Sequence, residues 1–329
     1  MALAITYPGV DGDAADLLEV TEIDDLPLPG RGQIQVEVRA FSVHPGDLYL
    51  DPVPAGQRAI AGHEATGVVT AVGPGVSAPA VGSRVTVFPY PGAWAQRINV
   101  VAELAFPVPD SLSDEVAAQM VCNPLTALLL HRAARNHFTV GFDGLIINNA
   151  ANSAVGRLFT VWAEHHQIST LSVVRSSARA QQLIERYPAV PVISTDTDRW
   201  AEQVRAIADG RPIPVAVDPV GGKLASELMA LLTPGGTLIS YGMLAPENIP
   251  LHPSSVIDEE IGIRGLNVWR WLTSTSPERR ASDIATVAKL VAGQPSELDV
   301  AATYPLDQIT DAVRHVTKPG KVGTVIVRT

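Results

Sequence analysis

Two stretches of this chain carry residue types and spacings that can do chemistry on a phosphorylated ligand. In Ile146-Ile147-Asn148-Asn149-Ala150-Ala151-Asn152-Ser153-Ala154-Val155-Gly156 an apolar run gives way to a helical one through small and amide residues. A diphosphate needs close backbone approach and a free helix N-terminus, and Ala151–Gly156 can supply both. The spacing G-x-G-x-x-G is absent, and Asn152 and Ser153 are equally the residue types that only cap a helix. The second stretch is Val173-Val174-Arg175-Ser176-Ser177-Ala178-Arg179. An NAD site places Asp or Glu at such a strand end to hold the ribose hydroxyls, whereas arginine grips a 2′-phosphate through charge-assisted bidentate bonds. Arg175, Ser176 and Arg179 therefore favour NADPH as cofactor, against the plainer reading of a solvated basic turn.

The elements that must position these residues alternate. From Leu145 onward, strand and helix patterns follow one another: Leu145–Ala150, Ala154–His166, Thr170–Arg175, Ala178–Tyr187, Val190–Thr195, Asp198–Ala208, Pro214–Val220, Lys223–Leu232 and Thr237–Gly242. Continuous apolar strands between amphipathic helices predict a parallel sheet buried on both faces, a doubly wound α/β domain that Ile261–Trp269 can extend. The first third differs, with strand-like Gln33–Ala40, Ala65–Val72 and Ser83–Phe88 broken by prolines and glycines, an irregular β-rich domain. Helices at Pro277–Ala292 and Leu306–Thr317 and a closing strand Gly323–Arg328 are expected to return to it. The domains so drawn are 1–120 with 275–329, and an inserted nucleotide domain at 121–274.

Composition narrows the function classes. The chain of 329 residues is 46% hydrophobic and 18% charged, which fits a folded globular protein rather than a disordered one. A formal net charge of −10 with no basic stripe argues against a nucleic-acid partner. No apolar run has membrane-span length, and the first basic residue is Arg31, so a cytoplasmic protein with no membrane partner is expected. Cys122, the single cysteine, excludes an internal disulfide and a cysteine-rich structural zinc lobe. His131, His137, His165 and His166 fall on helices or turns without ligand spacing and are expected to be solvated.

The segments Asn149–Gly156, Val173-Val174-Arg175, Val220-Gly221-Gly222-Lys223, Gly235–Gly242 and Ile263-Arg264-Gly265 resemble the mitochondrial-type trans-2-enoyl-thioester reductases. These belong, with the quinone oxidoreductases, to the zinc-independent branch of the medium-chain dehydrogenase/reductase superfamily. Gly62-His63-Glu64-Ala65-Thr66-Gly67-Val68-Val69 and Asn123-Pro124-Leu125-Thr126-Ala127 extend the similarity over most of the chain. The resemblance implies a Rossmann domain inserted into a GroES-like catalytic domain. It also implies NADPH-dependent hydride transfer to the β-carbon of an enone or enoyl thioester, with quinone reduction as the alternative. By the family pattern, Asn149, Asn152, Ser153 and Val155 lie near the diphosphate and Arg175, Ser176 and Arg179 near the adenosine phosphate. Val220, Tyr241, Gly242 and Met243 then follow the nicotinamide, and Asn123 and Thr126 border the reacting centre.

Three departures concern the acid. The family's Asn-Pro-x-Asp reads His44-Pro45-Gly46-Asp47, the loop from Asp47 to Gly62 is shortened where a catalytic tyrosine sits, and Asn267 replaces a usual tryptophan. Tyr49 is the candidate proton donor, and Trp94 is expected to wall the pocket. A rival reading compares the same domain with zinc alcohol dehydrogenases, whose metal ligands match His44, His63, Glu64 and Cys122. A third is a nucleotide-binding protein without turnover. A symmetric homodimer through the edge strand at Ile261–Trp269 is expected, since an uncovered edge leaves backbone groups unpaired.

Overall fold

The computed structural model describes residues 1–137 and 143–329, and no helix among them is long and apolar enough to cross a membrane. The chain divides into two compact units, Met1–Pro124 with Trp271–Thr329, and Leu125–Arg270.

The first unit opens with β1 (Ala2–Pro8), α1 (Ala14–Leu17), β2 (Glu19–Ile23), β3 (Gln33–Val43) and, past a short 3-10 turn at Pro45–Leu48, β4 (Arg58–Ile60). It continues through β5 (Ala65–Val72), β6 (Arg84–Val87), β7 (Arg97–Val101), β8 (Ala105–Pro107) and α2 (Asp114–Ala117). Helix α3 (Cys122–Arg135) carries the chain into the second unit, with Pro124 in its first turn, where a missing N–H costs nothing.

The second unit follows the alternation read from sequence. It contains β9 (Ile146–Asn149), α4 (Ala154–His165), β10 (Thr170–Val174), α5 (Ser177–Arg186), β11 (Val192–Ser194), α6 (Trp200–Ala208), β12 (Val215–Asp218), α7 (Gly222–Met229), β13 (Thr237–Ser240), α8 (Pro253–Ile257) and β14 (Gly262–Gly265). Among the described residues these strands form one parallel sheet in the order β11-β10-β9-β12-β13-β14. β9, β10 and β12 are buried along their whole length, which is why they read as mainly apolar strands without an alternating solvent face. Their few polar residues, Asn148, Asn149, Thr170, Ser172 and Asp218, are buried as well. The order reverses between β9 and β12, where the connections leave in opposite directions and open a crevice at the strand ends.

The chain returns through α9 (Trp269–Ser274), α10 (Pro277–Gly293), β15 (Val300–Pro305), α11 (Ile309–Val316) and β16 (Thr324–Arg328). β16 pairs antiparallel with β3 (Val325 opposite Val43, Arg328 opposite Ala40), completing a sheet ordered β15-β16-β3-β5-β6-β8 with β7 also on β3. A separate sheet, β2-β1-β4, has no counterpart in the sequence reading. The core of this unit gathers Ile5, Ile34, Val36, Phe41, Val85, Trp94 and Val325.

His131 departs from expectation. It is 4% exposed on α3, its ring 4.3 Å from that of His166 and stacked on Trp162 at 6.0 Å, centroid to centroid. A histidine on the inner face of α3 packs against α4 instead of meeting water. Burial first, then the positive neighbours His166, Arg135 and Arg132, lowers its pKa to about 4.

Candidate functional site

In the nucleotide unit, β9 runs into α4 through a turn whose backbone is fixed from several sides. Ala150 takes a positive φ of 52°, and a Cβ on Gly156 would lie 2.7 Å from the Ala150 carbonyl oxygen, so only glycine lets α4 start this close to β9. Ser153 caps the helix, its Oγ accepting from Gly156 N at 3.0 Å. Arg157, 1% exposed, donates from Nη1 to the Asn152 carbonyl at 3.1 Å and holds the turn from below. Nothing in the spacing marks Arg157, because a lone arginine after a helix start looks solvent-facing.

Asn149 is spent internally. Its Nδ2 donates to Asp218 Oδ1 at 2.7 Å and its Oδ1 accepts from Ala150 N at 2.8 Å. Asp218, fully buried at the end of β12, also accepts from Val220 N at 3.0 Å and Gly221 N at 2.8 Å. One carboxylate thus ties β9 to the β12–α7 turn across the reversal point of the sheet. Asn149 supports the β9–α4 turn rather than reaching outward, while Asn152 and Ser153 remain on the turn itself.

At the end of β10, Arg175 is exposed, and Ser176 and Arg179 are half-buried. Gln182 links this corner to the turn: its Oε1 accepts from Asn152 Nδ2 at 3.2 Å and from Arg179 Nη1 at 2.7 Å. Past β13, Tyr241 and Gly242 are half-buried and Met243 is exposed, with Val220 half-buried beside Gly221. Burial, then the charge of Asp218, raises the Tyr241 phenol well above the ordinary tyrosine range, so it acts only as a neutral group. A helix start approached closely by β9, with the Ser153 hydroxyl on the turn and the guanidinium groups of exposed Arg175 and half-buried Arg179 on the neighbouring corner, fits a phosphorylated dinucleotide.

The first unit brings a second set of groups together. Glu64, 1% exposed at the start of β5, accepts through Oε1 from Val121 N at 2.7 Å and Cys122 N at 3.1 Å, and its Oε2 meets His44 Nε2 at 3.0 Å. It therefore caps α3 from a segment 57 residues away. His44 Nε2 also lies 2.8 Å from Ser42 Oγ, and its backbone N–H donates to Asp47 Oδ2 at 2.7 Å. Burial pulls the His44 imidazole towards neutrality, but the hydrogen bond to Glu64 and the charges of Asp47 and Glu64 outweigh it and leave the pKa raised. Burial, followed by the charges of Glu64 and Asp47, pushes the Cys122 thiol well up.

His63 does not join this group. Its Nδ1 lies 2.8 Å from Asp47 Oδ1. The donor atoms of His44, Glu64 and Cys122 lie within 4.8 Å of one another, but Glu64 already carries two amides and the imidazole. The group gathered here is thus His44, Glu64 and Cys122, three of the four residues matched to the zinc alcohol dehydrogenases, with His63 turned to Asp47.

A cavity of about 410 Å³ inside this unit is lined by Tyr7, Asp47, Tyr49, Asp51, His63 and Tyr90 among others. Tyr49 closes the 3-10 turn begun by Pro45 and is 52% exposed. Trp94, expected to wall the pocket, is fully buried one layer behind it, with its Nε1 donating to the Ser42 carbonyl at 3.2 Å and its ring 5.1 Å from that of Phe41. The cause is Gly62, where a Cβ would sit 1.9 Å from the indole, so the tryptophan fills that space from inside. Asn123 and Thr126 are one turn apart on α3, half-buried and buried respectively.

Comparisons with known proteins agree with both halves. A family model described as the alcohol dehydrogenase GroES-like domain matches residues 30–110, and one described as zinc-binding dehydrogenase matches 154–286. The mitochondrial enoyl-[acyl-carrier-protein] reductase of Bos taurus is 27% identical over 333 residues, spanning 96% of this chain and 86% of that protein. A 2-haloacrylate reductase from a Burkholderia species is 28% identical over 320 residues, 91% of each. Among solved structures, one described as an NADPH:quinone reductase from Bacillus thuringiensis superposes with a TM-score of 0.89 at 27% identity, over 100% of this chain and 99% of that one. The Escherichia coli quinone oxidoreductase complexed with NADPH gives 0.88 at 23% identity, over the whole of both chains. With each unit matched in order and the fold shared along the full length, the chain belongs to the medium-chain dehydrogenase/reductase superfamily of oxidoreductases.

Proposed function

We propose that this protein is an NADPH-dependent reductase of carbon–carbon double bonds conjugated to a carbonyl, in enones or enoyl thioesters. The carrying observation is the nucleotide corner: Arg175 exposed and Arg179 half-buried beside a glycine-tight strand-to-helix turn, with a serine rather than an acidic residue following Arg175. The reductases it resembles at 27–28% identity along most of its length support the choice of acceptor.

When bound, NADPH supplies a hydride to the β-carbon of the acceptor. The chain's own task is to hold the acceptor, provide donors for the oxygen that gains charge, and deliver a proton to the α-carbon. Tyr49 is assigned the proton, since its phenol lines a cavity large enough for a small acceptor. Asn123 and Thr126 border the reacting centre, and Val220, Tyr241, Gly242 and Met243 flank the nicotinamide. β14 ends the parallel sheet with Ile263, Val256 and Ile257 exposed nearby, and a second copy covering this edge forms a twofold dimer. A monomer in sedimentation at micromolar concentration would remove that assembly.

The test of function is NADPH oxidation with a crotonyl thioester, a simple enone, a quinone and an aldehyde, with elemental analysis of the same preparation. Reduction of the conjugated alkenes is the expected result. Turnover of quinone alone moves the protein to the quinone oxidoreductases, and tight NADPH binding without any turnover makes it a nucleotide-binding protein. Stoichiometric zinc with aldehyde reduction abolished in His63→Ala overturns the proposal in favour of an alcohol dehydrogenase. Tyr49→Phe should lower kcat by about 10²–10⁴-fold with NADPH binding intact. A normal rate removes Tyr49 and leaves the reaction class standing.

A further inference from the structure

β10 and β11 end side by side, with Val174 opposite Ser194 in the parallel register and Thr195 N bonded to the Val174 carbonyl at 2.9 Å. Beyond these ends lie two short segments, Arg175–Ser177 and Thr195–Asp196. Helix α5 begins at Ser177, and its N-cap residue, Ser176, makes no side-chain capping bond. The cap comes from the neighbouring strand instead. Asp196 Oδ2 accepts from Ser177 N at 2.7 Å, its oxygens accept from Ser177 Oγ at 3.0 and 2.9 Å, and Ser194 Oγ donates to Oδ1 as well. Those bonds, the Ser194 hydroxyl first and the Ser177 amide next, hold the Asp196 carboxyl below the usual carboxylate range, so it is ionised at neutral pH.

A negative charge therefore occupies the start of α5, two residues from Arg175. In a dinucleotide site a 2′-phosphate comes to this same corner and gains from the same helix-start amides. We propose that Asp196 is a specificity-determining residue that limits the preference for the 2′-phosphorylated dinucleotide, leaving the phosphate to the side chains of Arg175 and Arg179. The carboxylate fills the place where backbone amides would have met the phosphate, and it opposes the phosphate's charge. NADH, which presents hydroxyls at that corner, meets neither effect. The inference rests on the dinucleotide-binding reading above and concerns only how its two forms are told apart.

Equilibrium binding of NADPH and NADH to the unchanged chain and to two variants tests this. Asp196→Asn removes the charge and keeps the shape, and Asp196→Ser keeps a hydroxyl that can still cap α5. Either variant should tighten NADPH by about three- to tenfold at low ionic strength, the size of one like charge removed at a solvated site. NADH affinity should stay within about twofold, and the gain for NADPH should shrink as salt is raised. Weaker NADH binding in both variants would mean that Asp196 holds a ribose hydroxyl, and would overturn the inference. Equal changes for the two nucleotides would overturn it as well, by making Asp196 a purely structural cap. If the unchanged chain binds neither nucleotide, the dinucleotide reading fails, an outcome visible before any variant is made.

Discussion

The two units solve the problem of a buried carboxylate differently. Asp218 in the nucleotide unit is held by one amide side chain and two backbone N–H groups, all within reach of a single crevice. Glu64 in the first unit faces an imidazole and two amides drawn from segments around residues 44 and 121, with Asp47, His63 and Cys122 packed close by. Asp218 shapes one turn, whereas Glu64 joins three parts of the chain that share no local pattern. Stability should accordingly be more sensitive in the first unit, and ligand binding more sensitive in the second.

The largest effect expected is from Glu64→Ala. It strands the Val121 and Cys122 amides and leaves His44 without its partner, and should cost about 3–5 kcal/mol in urea unfolding. A loss under 1 kcal/mol would show that water replaces the carboxylate and would remove the contrast between the units.

Next comes His131, whose folded pKa of about 4 lies below its ordinary 6.5. Above pH 6.5 the imidazole is neutral in both states and its packing contributes fully. As pH falls from 6.5 towards 4 the unfolded chain binds the extra proton, so stability falls by about 2–3 kcal/mol over that window. His131→Leu should flatten that part of the stability–pH curve, which chemical denaturation at a series of pH values measures.

For Arg175→Ala the expected loss is about 1–3 kcal/mol of NADPH binding with NADH little changed, as for one charge-assisted contact. Indifference of NADPH affinity to this change would return the corner to a solvated basic turn. Smallest is Ser153→Ala, at about 1 kcal/mol of stability for the lost cap of α4. If NADPH affinity falls with it by a larger factor, the hydroxyl serves phosphate as well as helix.

What the sequence makes legible follows the same division. β9, β10 and β12 stand out because burial on both faces leaves them without an alternating charged face, and Ser153 is readable as a cap from its place between a strand and a helix. The sheet β2-β1-β4 is not legible, since Thr6 pairs with Ile60 and Ala2 with Ile23 through contacts that no local period records. The candidate site divides likewise. Arg175 and Asn152 are marked by position, whereas Asp196, Gln182 and Asp218 reach partners 19, 30 and 69 residues away respectively, and Arg157 turns back beneath its own helix to Asn152. The two histidine rings are oriented by different carboxylates, His63 by Asp47 Oδ1 and His44 by Glu64 Oε2, while the other Asp47 oxygen accepts from the His44 backbone N–H.

The pairing of β16 with β3 makes neighbours in one sheet of two strands about 280 residues apart along the chain. A ribosome delivers the 125–270 unit in one continuous stretch, so that unit can fold as soon as it emerges. The first unit must wait, because the bonds offered by Ala40–Val43 are met only when Val325–Arg328 leaves the exit tunnel. Until then this stretch of β3 is an open strand edge, and the nascent chain is most exposed to mispairing in the interval between completion of the inserted unit and the arrival of its last strand.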